Sequence, residues 1–543
     1  RLTAQINRDI APYSTRLGSA SVMVEAGWAP RVLLSDAEVF DAEGARIVAF
    51  DSLSVGIALQ PLAEGALRPT DIRLSGTRLG LRRDLQGGFW ISFGEELTAA
   101  SEAPDTQGTG FGQIMAQVDE LLARSTFAAF ERLEVADVTL RYEDERARRN
   151  WTVDGGRLEL LHADGELRVR ADFALLTGGA SAAGVELNFE RKAGADQASV
   201  GLNLTDFPAS DLATQAAALS WLEVLRAPIS GALRLSMNAE GALGPLSATL
   251  QIAEGVLQPN EAATPIPFRS ARTYLTYDPA TSLITFDEIN LQSEWVTLRA
   301  EGRLGLVMEE GGWPEAFIGQ LRLAGISANP SELLPEPVTF ESGFADLRLS
   351  LDPFRVELGQ LGLKDGDTAY HIEGSFEALP KGWSYQVQAA AEALDLAQVL
   401  ALWPEKAGEK TRAWVAANVL EGHINEAQFA LRAGPDVKPE PLVSFGFERV
   451  KMRFLPDMPV IENMAGQASL LRKRFAARAT RGTVTAPEGG RLDVAGTEFI
   501  IPRTLPAPAK AVVNLRTEGQ ITAVLSLINQ EPINALKNTS LPV

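Results

Sequence analysis

The stretch Val296-Thr-Leu-Arg-Ala-Glu-Gly-Arg-Leu-Gly-Leu306 alternates between apolar and polar positions. Its even positions are apolar or glycine, whereas most of its odd positions carry threonine, arginine or glutamate. Because successive side chains of a strand point to opposite faces of a sheet, this period of two predicts a strand with one apolar and one polar face. Such alternation is typical of antiparallel sheets, since buried parallel strands are apolar along their whole length.

The same alternation recurs along most of the chain. It is longest at 167–175, 233–239 and 345–351, and shorter versions occupy 53–59, 185–189 and 385–389. Short segments rich in Asp, Gly and Pro separate these runs and predict turns. The clearest of them are Asp84-Leu-Gln-Gly-Gly88, Asp154-Gly-Gly156, Asp278-Pro279 and Asp365-Gly366.

Helical periodicity is confined to a few segments. We expect helices within 111–130, 208–225, 394–402, 409–420 and 521–536. Each of them fits a role in covering an opening or an end of a sheet.

Two architectures can hide the apolar face of so many strands. One is a set of two-sheet sandwiches of about 100 residues each; the other is a long, curled antiparallel β-sheet that forms an extended hydrophobic groove, like a taco or rod, with a few short helices. The alternation continues through 543 residues, and the best candidate for a linker, Pro435–Pro441, is short. The sequence therefore favours the mainly β groove.

Composition removes several classes of function. The chain has 50 basic and 70 acidic residues, for a net charge of −20, which argues against nucleic-acid binding because phosphate recognition depends on Lys and Arg. It contains no cysteine and three histidines, His162, His371 and His423. Thiolate chemistry is thus impossible, and few residues are left for a zinc site or a catalytic triad.

No motif gives positive support to an enzyme. Gly108-Thr-Gly-Phe-Gly112 precedes a predicted helix, but the spacing of its glycines and the absence of a following lysine favour a flexible segment over a phosphate-binding loop. The acidic residues are scattered along predicted strand faces. We therefore expect no catalytic residue, no metal and no cofactor. The enzymatic hypothesis that stays open is a hydrolase that acts on a glycan through an unrecognised carboxylate pair.

The two ends of the sequence favour a longer parent protein. The chain starts at Arg1, and no apolar run approaches the roughly 18 residues of a membrane span. After the last predicted helix, residues 537–543 read as the entry to another strand. We expect both ends to have been cut from a longer chain.

If the strands form a groove, their apolar residues line it. The lining predicted from the clearest alternations consists of Leu167, Val169, Phe173, Leu233, Leu235, Met237, Val296, Leu298, Leu304, Leu347, Leu349 and Leu351. The competing interpretation is that some of these residues pack beneath helices or inside a closed sandwich.

Several motifs in order resemble the AsmA-like family. Residues 28–88 resemble its N-terminal module, and residues 200–306 resemble the middle of its YhdP-type branch. The most specific motifs are Leu402-Trp-Pro404, Thr411-Arg-Ala-Trp414, Leu420-Glu-Gly-His-Ile-Asn425 and Phe454-Leu-Pro-Asp-Met-Pro459. Together these segments cover most of the chain.

The resemblance implies a bridge-like lipid transport protein of a Gram-negative envelope. Such a protein would be anchored in the inner membrane by one N-terminal helix, extend through the periplasm and carry phospholipid acyl chains towards the outer membrane. It implies no catalytic residues. The alternative within the same resemblance is a TamB-like scaffold that assists assembly of outer-membrane proteins, with outer-membrane or periplasmic proteins as partners.

The resemblance and the alternation together suggest four segments. Residues 1–98 would form the AsmA-like N-terminal β module, and 99–132 a loop and helix. Residues 133–434 would form the central groove, with helices near 208–225 and 394–420. Residues 435–543 would form a further groove segment ending in a helix.

Overall fold

The computed structural model describes residues 14–24, 30–40, 46–84, 89–93, 118–145, 149–176, 182–192, 195, 197–238, 243–309, 313–504 and 509–537. Most of these residues lie in strands. In the hydrogen-bond topology, 29 strands belong to one sheet and three short strands to a second. The prediction of a mainly β chain with a long, chiefly antiparallel sheet and a few short helices is confirmed.

The strands alternate with short connections along the chain. Up to residue 292 they are β1 Ser14–Arg16, β2 Ser19–Val24, β3 Pro30–Phe40, β4 Arg46–Ile57, β5 Pro69–Ser75, β6 Arg78–Arg83, β7 Phe89–Phe93, β8 Arg132–Asp144, β9 Arg149–Ala163, β10 Glu166–Leu176, β11 Ala183–Arg191, β12 Gln197–Pro208, β13 Leu225–Arg226, β14 Pro228–Asn238, β15 Leu243–Ile252, β16 Gly255–Leu257, β17 Ile266–Phe268, β18 Ser270–Asp278 and β19 Leu283–Gln292.

The remaining strands are on average longer. They are β20 Val296–Met308, β21 Pro314–Ala328, β22 Val338–Leu351, β23 Phe354–Asp365, β24 Thr368–Leu379, β25 Gly382–Asp395, β26 Val419–Gly434, β27 Val437–Met452, β28 Ile461–Leu471, β29 Arg474–Thr485, β30 Arg491–Asp493, β31 Glu498–Ile501 and β32 Val512–Asn514.

The helices are short. The α-helices are α1 Leu59–Ala63, α2 at 118–123, α3 Ala209–Ala213, α4 Leu396–Leu402, α5 Glu409–Asn418 and α6 Ile521–Ile528. The 3-10 turns are Ser125–Phe127, Ala217–Val224 and Pro330–Glu332. Helix α4 begins with a capping box. The Gln398 amide donates a hydrogen bond to the Asp395 side chain, and the Asp395 amide donates one to the Gln398 side chain.

The chain divides into two compact units. Unit 1 comprises Arg1–Gly255 and Arg272–Asp287, and unit 2 comprises Val256–Ala271 and Glu288–Val543. Each contains a ladder of consecutively paired strands. The four segments suggested by the sequence rest on sequence features and stay a prediction.

One strand of unit 1 departs from the antiparallel pattern. Strand β8 pairs in parallel with β5 and β6, which follow each other along its length. A parallel pair needs a long connection between its strands, and the connection from β6 to β8 includes β7 and α2.

Bulges interrupt the regular period of two in the long strands. In β8 the register shifts within Val135–Val138, and in β12 it shifts within Leu204–Phe207. Asp137 and Asp206 adopt left-handed backbone at these places, each with φ of 52°, a conformation that Asp tolerates better than most residues. Each bulge bends its strand and keeps apolar residues three positions apart on one face.

Two expected breaks between strands are wrong. Asp154-Gly-Gly156 lies inside β9, where Gly155 has φ of 67° and the pairing with β10 shifts register. The glycine therefore serves a bulge rather than a turn. Pro435–Pro441 is not a linker, because Gly434 pairs with Val437 and the segment forms the β26–β27 hairpin.

The other turns and helices follow the sequence more closely. Asp278 accepts hydrogen bonds from the Ala280 amide and the Thr281 hydroxyl at 2.9 Å each, which closes the β18–β19 turn, and Gly366 lies in the β23–β24 turn. Residues 208–225 form α3 and a 3-10 turn rather than one helix. Helix α6 ends at Ile528, before the Pro532 that cannot continue a helix.

Some sequence predictions lie outside the described residues. The segment Gly108–Gly112, the turn residues 85–88, the first part of the 111–130 helix and residues 538–543 are among them.

The bulge at Asp206 gives a test of the backbone argument. We expect Asp206→Val to lower the stability of unit 1 by about 1–2 kcal/mol, because a β-branched residue is strained in left-handed backbone. Asp206→Asn should change it by less than about 0.5 kcal/mol, since Asn also adopts this conformation. Urea unfolding followed by circular dichroism measures both, and equal midpoints for the two variants would contradict the assignment.

Candidate functional site

Strand registers reveal which side chains line up across each unit. Residues that face each other on neighbouring strands project from the same side of the sheet. Following the partners from strand to strand therefore traces rows of side chains on one face. Such rows identify an extended apolar surface in each unit.

The unit 1 row crosses eleven strands from β2 to β15. Every position in it is valine, leucine, isoleucine or phenylalanine, and the one parallel pairing, β5–β8, does not interrupt it. The row consists of Val22, Val32, Val55, Ile72, Leu133, Leu160, Val169, Phe189, Val200, Leu235 and Leu246.

The unit 2 row also crosses eleven strands, from β20 to β31. No position in it has a polar side chain. The row consists of Gly302, Leu321, Ala345, Leu361, Ile372, Ala389, Phe429, Val443, Leu470, Phe475 and Ile501.

Further apolar rows lie on the same faces and widen them. In unit 1 a second row consists of Ala20, Leu34, Leu53, Leu74, Val135, Leu158, Ala171, Leu187, Leu202, Leu233 and Ala248. In unit 2 the flanking rows are Leu304, Gly319, Leu347, Leu358, Gly374, Val387, Leu431 and Pro441, and Leu306, Phe317, Leu349, Val356, Phe376, Tyr385 and Ala433.

The opposite faces are mainly polar. The adjacent row in unit 1 consists of Arg31, Gly56, Asp71, Arg132, Leu161, Arg168, Glu190, Ser199 and Ser236. In unit 2 it includes Arg348, Glu357, Ser375, Gln386, Arg432 and Glu440. Arg31 donates to Asp71 at 2.8 Å and Arg432 to Gln386 at 2.6 Å. Each unit thus separates apolar and polar chemistry between its two faces.

The apolar faces are only partly covered. In unit 2, Leu361, Ile372 and Val443 are half-buried, and Phe429 is 38% exposed. In unit 1, Val22 is 65% exposed. Side chains in a sealed sandwich core would be close-packed on both sides, so these rows form surfaces on which further apolar material can lie.

The residues predicted as lining in unit 1 fall on its apolar face. Val169 and Leu235 belong to the unit 1 row, and Leu233 belongs to the second row. Phe173 faces Val185 on the same side of the sheet. Leu167 and Met237 are buried, at 1% and 5% exposure.

The residues predicted as lining in unit 2 also share one face. Leu304, Leu347 and Leu349 belong to the flanking rows. Leu298 is half-buried and packs against the buried Ile326, Phe340 and Leu363. Val296 faces Ala328, and Leu351 faces Phe354 beside a turn.

Sequence reasoning missed the contribution of the first strands. Val22, Val32, Val55 and Ile72 belong to the unit 1 row, but their strands have short or irregular alternation. It also missed Phe429, whose strand contains several polar residues. A search for apolar pairs three positions apart, as bulges produce, would have recovered more of these strands.

Two helices cover part of the apolar faces. Helix α2 packs on β10–β14 in unit 1 through Val118 and Leu122. In unit 2, Ala523 and Leu527 of α6 join a buried cluster with Val484 and Leu492. The competing expectation, that some apolar residues pack beneath helices, therefore applies in these two places, and α3 with the 3-10 turn after it also buries Leu212, Leu219 and Leu222.

Unit 1 also contains a buried cluster of polar side chains around Asp144. Asp144 Oδ2 accepts hydrogen bonds from the Tyr142 hydroxyl at 3.0 Å and from Gln215 Nε2 at 3.2 Å, and it lies 3.4 Å from Arg83 Nη1. Trp151 stacks on Tyr142 with ring centroids 5.1 Å apart.

The same cluster extends to helix α3. Trp151 Nε1 donates to Asp211 Oδ2 at 3.0 Å, and Arg149 Nε lies 3.4 Å from Asp211 Oδ1. These contacts tie β6, β8 and β9 to the segment that begins with α3. This arrangement stabilises the fold and offers no exposed nucleophile or base.

The three histidines lie on three different strands. His162 faces Leu167 in unit 1, whereas His371 and His423 lie on different strands of unit 2, opposite Gly362 and Asp395. Within the described ranges, no cluster of three or more His, Asp or Glu side chains has the arrangement of a metal site.

The buried phenol gives a prediction for pH dependence. Burial, with the Asp144 carboxylate as the next cause, raises the pKa of Tyr142 above its ordinary value. The folded state thus keeps this phenol protonated where an unfolded chain ionises it, so its stabilisation is complete below about pH 10 and is lost as the pH rises further.

We expect tyrosinate absorbance of folded wild type and Tyr142→Phe to coincide up to about pH 11. The control is the same titration in denaturant, where one more phenol should ionise in the wild type than in the variant. A difference of one tyrosinate between the folded proteins in this range would contradict the assignment.

No helix of the described residues is both long and apolar enough to span a membrane. No family model, curated protein or solved structure shows significant similarity to this chain.

Proposed function

We propose that this chain is a non-enzymatic conduit for phospholipid, which moves with its acyl chains against the apolar face of each unit. The single observation that carries the proposal is the register of the two eleven-strand rows. With about 4.8 Å between neighbouring strands, ten pairings give a row of about 48 Å. No polar side chain interrupts either row.

The energy of lipid transfer supports such a surface. A phospholipid has about 30 acyl methylenes, and at roughly 0.8 kcal/mol each their exposure to water costs more than 20 kcal/mol. A continuous apolar row lowers this cost at every step along the sheet. Transfer of this kind needs no catalytic group and no cofactor.

The resemblance to the AsmA-like family and its YhdP-type branch supplies the location in the proposal. The protein would act in the periplasm of a Gram-negative bacterium, anchored to the inner membrane and carrying lipid between the inner and outer membranes. Its net charge of −20 fits a solvated outer surface.

The direct test places a charge in the middle of the unit 2 row. We expect Ile372→Asp to reduce co-purified phospholipid at least about fivefold, because a desolvated carboxylate beside acyl chains is costly. The matched control is Ser375→Asp, which adds the same charge to the polar face of the same strand. Mass spectrometry of solvent extracts measures the bound lipid, and circular dichroism checks the β fold of each variant.

The control defines what would count against the conduit. Equal lipid content in wild type, Ile372→Asp and Ser375→Asp would contradict it, as would the absence of lipid from all three. Loss of lipid in Ile372→Asp alone supports it.

A second candidate function is the TamB-like scaffold, and one observation favours it. Among the residues that the structure describes, strand β2 pairs with β3 alone; it is exposed over its whole length and has the uncharged sequence Ser-Ala-Ser-Val-Met-Val. Natural edge strands are usually protected by charge or proline. Such an edge can add a strand from a client protein.

Photo-crosslinking separates the two candidates. We expect a crosslinker at Ile372 to capture lipid in cells, because this position lies in the centre of the unit 2 row. A crosslinker at Val22 reports on the β2 edge. Capture of outer-membrane proteins at Val22, with no lipid at Ile372, would favour the scaffold and contradict the conduit.

A further inference from the structure

Helix α2 occupies part of the unit 1 apolar face. Its Val118 and Leu122 pack against a buried patch, which we call the α2 seat and which consists of Leu167, Phe189, Ala198 and Met237. Phe189 is also a member of the unit 1 row. The helix therefore covers a surface that is continuous with the proposed lipid path.

One ion pair fixes the helix at the margin of this seat. Arg191 Nη1 donates to Asp119 Oδ2 at 2.8 Å, and Arg191 Nη2 donates to Asp119 Oδ1. Both oxygens of the carboxylate are thus held by one guanidinium, in the fork geometry that Arg also uses for phosphate.

Arg191 places a cation beside the apolar residues of the seat. It faces Leu167 across β10 and β11, and so it projects from the apolar side of the sheet. A guanidinium thus adjoins a buried apolar patch. This combination matches an amphiphile with an anionic head and an apolar tail.

Helix α2 presents the same two chemistries to that surface. Val118 and Leu122 provide apolar contact, and Asp119 provides the anion. Glu120 on the same helix pairs instead with Arg124 at 3.5 Å, and both of these side chains are largely exposed. The helix thus directs one carboxylate towards the seat and another towards solvent.

We propose that α2 is a built-in substitute for an anionic phospholipid, and that Arg191 with the α2 seat is a lipid site that opens when α2 leaves. The phosphate would take the place of Asp119 on Arg191, and an acyl chain would replace Val118 and Leu122. This inference rests on the proposed function and adds to it an anionic head-group preference and an internal competitor.

The ion pair is only partly buried, with the Asp119 and Arg191 side chains 44% and 28% exposed. Exposed ion pairs contribute little to stability, and screening by salt weakens them further. An anionic lipid that supplies both a phosphate and an acyl chain can therefore compete with the helix.

Binding of two fluorescent single-chain lipids to the full chain tests the site. The anionic probe is a labelled lysophosphatidylglycerol, and the neutral probe is a monoacylglycerol with the same label and chain. We expect Asp119→Ala to bind the anionic probe about fivefold or more tightly than wild type does, because the internal competitor is weakened. It should prefer the anionic probe over the neutral one by about tenfold.

Two variants isolate the contributions. Arg191→Gln also loosens the helix but removes the cation, so it should bind both probes with equal affinity. Glu120→Ala is the matched control, since it removes a carboxylate from the same helix without touching Arg191, and it should bind both probes as wild type does. Millimolar inorganic phosphate should not displace the anionic probe; if it does, the site binds a free anion and the proposal is overturned.

A spin label reports on the helix itself. The chain has no cysteine, so Leu121→Cys, at an exposed position of α2, gives a single labelling site. We expect the anionic probe to increase the mobility of the label. Binding of the probe without any change in mobility would overturn the displacement of α2.

Failure of this inference is distinguishable from failure of the conduit. If wild type carries phospholipid that Ile372→Asp loses, but Asp119→Ala gains no affinity and no head-group preference, the inference is overturned and the conduit stands. If none of the proteins binds either probe or any phospholipid, both are overturned.

Discussion

The structure depends on strand register. Side chains alternate between faces with a period of two, so a slip of one residue in any pairing would turn a whole strand over and place its polar residues in the apolar row. Ten consecutive pairings in each unit avoid such a slip. Backbone hydrogen bonds alone do not distinguish one register from the next, whereas burial of apolar side chains does. Partial burial of the apolar face therefore stabilises the fold. It also selects the correct pairing of the strands.

Bulges show how this constraint is satisfied in a bent sheet. Strand β23 places Leu358 and Leu361 three residues apart, opposite Gly374 and Ile372, which are two residues apart on β24. The additional residue is absorbed where Gly359 and Gln360 lie, and both leucines stay on one face. The bend and the local twist that a bulge introduces thus come without loss of the row. Long strands can curve in this way while their apolar residues remain aligned.

The same reasoning explains which features the sequence predicts. Regular alternation at 296–306 and 345–351 predicts strands and their apolar faces, because burial and backbone geometry agree there. The Asp-containing bulge at Val135–Val138 breaks the period of two, and Asp154-Gly-Gly156 resembles a turn, since the local signals of a bulge and a turn are the same. Pairings such as Val55 with Ile72, or β5 with β8, depend on long-range hydrogen bonds that no local pattern encodes. Membership of a strand can therefore be read locally, but membership of a row cannot. The ion pair between Asp119 and Arg191 was likewise not predictable, because these residues are far apart in sequence.

An apolar face of this kind is always subject to competition. Its residues gain free energy from any apolar contact, whether the contact comes from the same chain or from another molecule. Helices α2 and α6 show the first case, in which Val118, Leu122 and Leu527 cover parts of the sheet. In the rest of the unit 2 row, residues such as Ile372 and Phe429 retain exposed surface. A conduit must keep this balance narrow, because a face sealed by its own helices would exclude lipid and a fully bare face would aggregate. In the proposed conduit, α2 would protect the face when it is empty and give way to an acyl chain, since it contacts the sheet through Val118, Leu122 and one partly exposed ion pair.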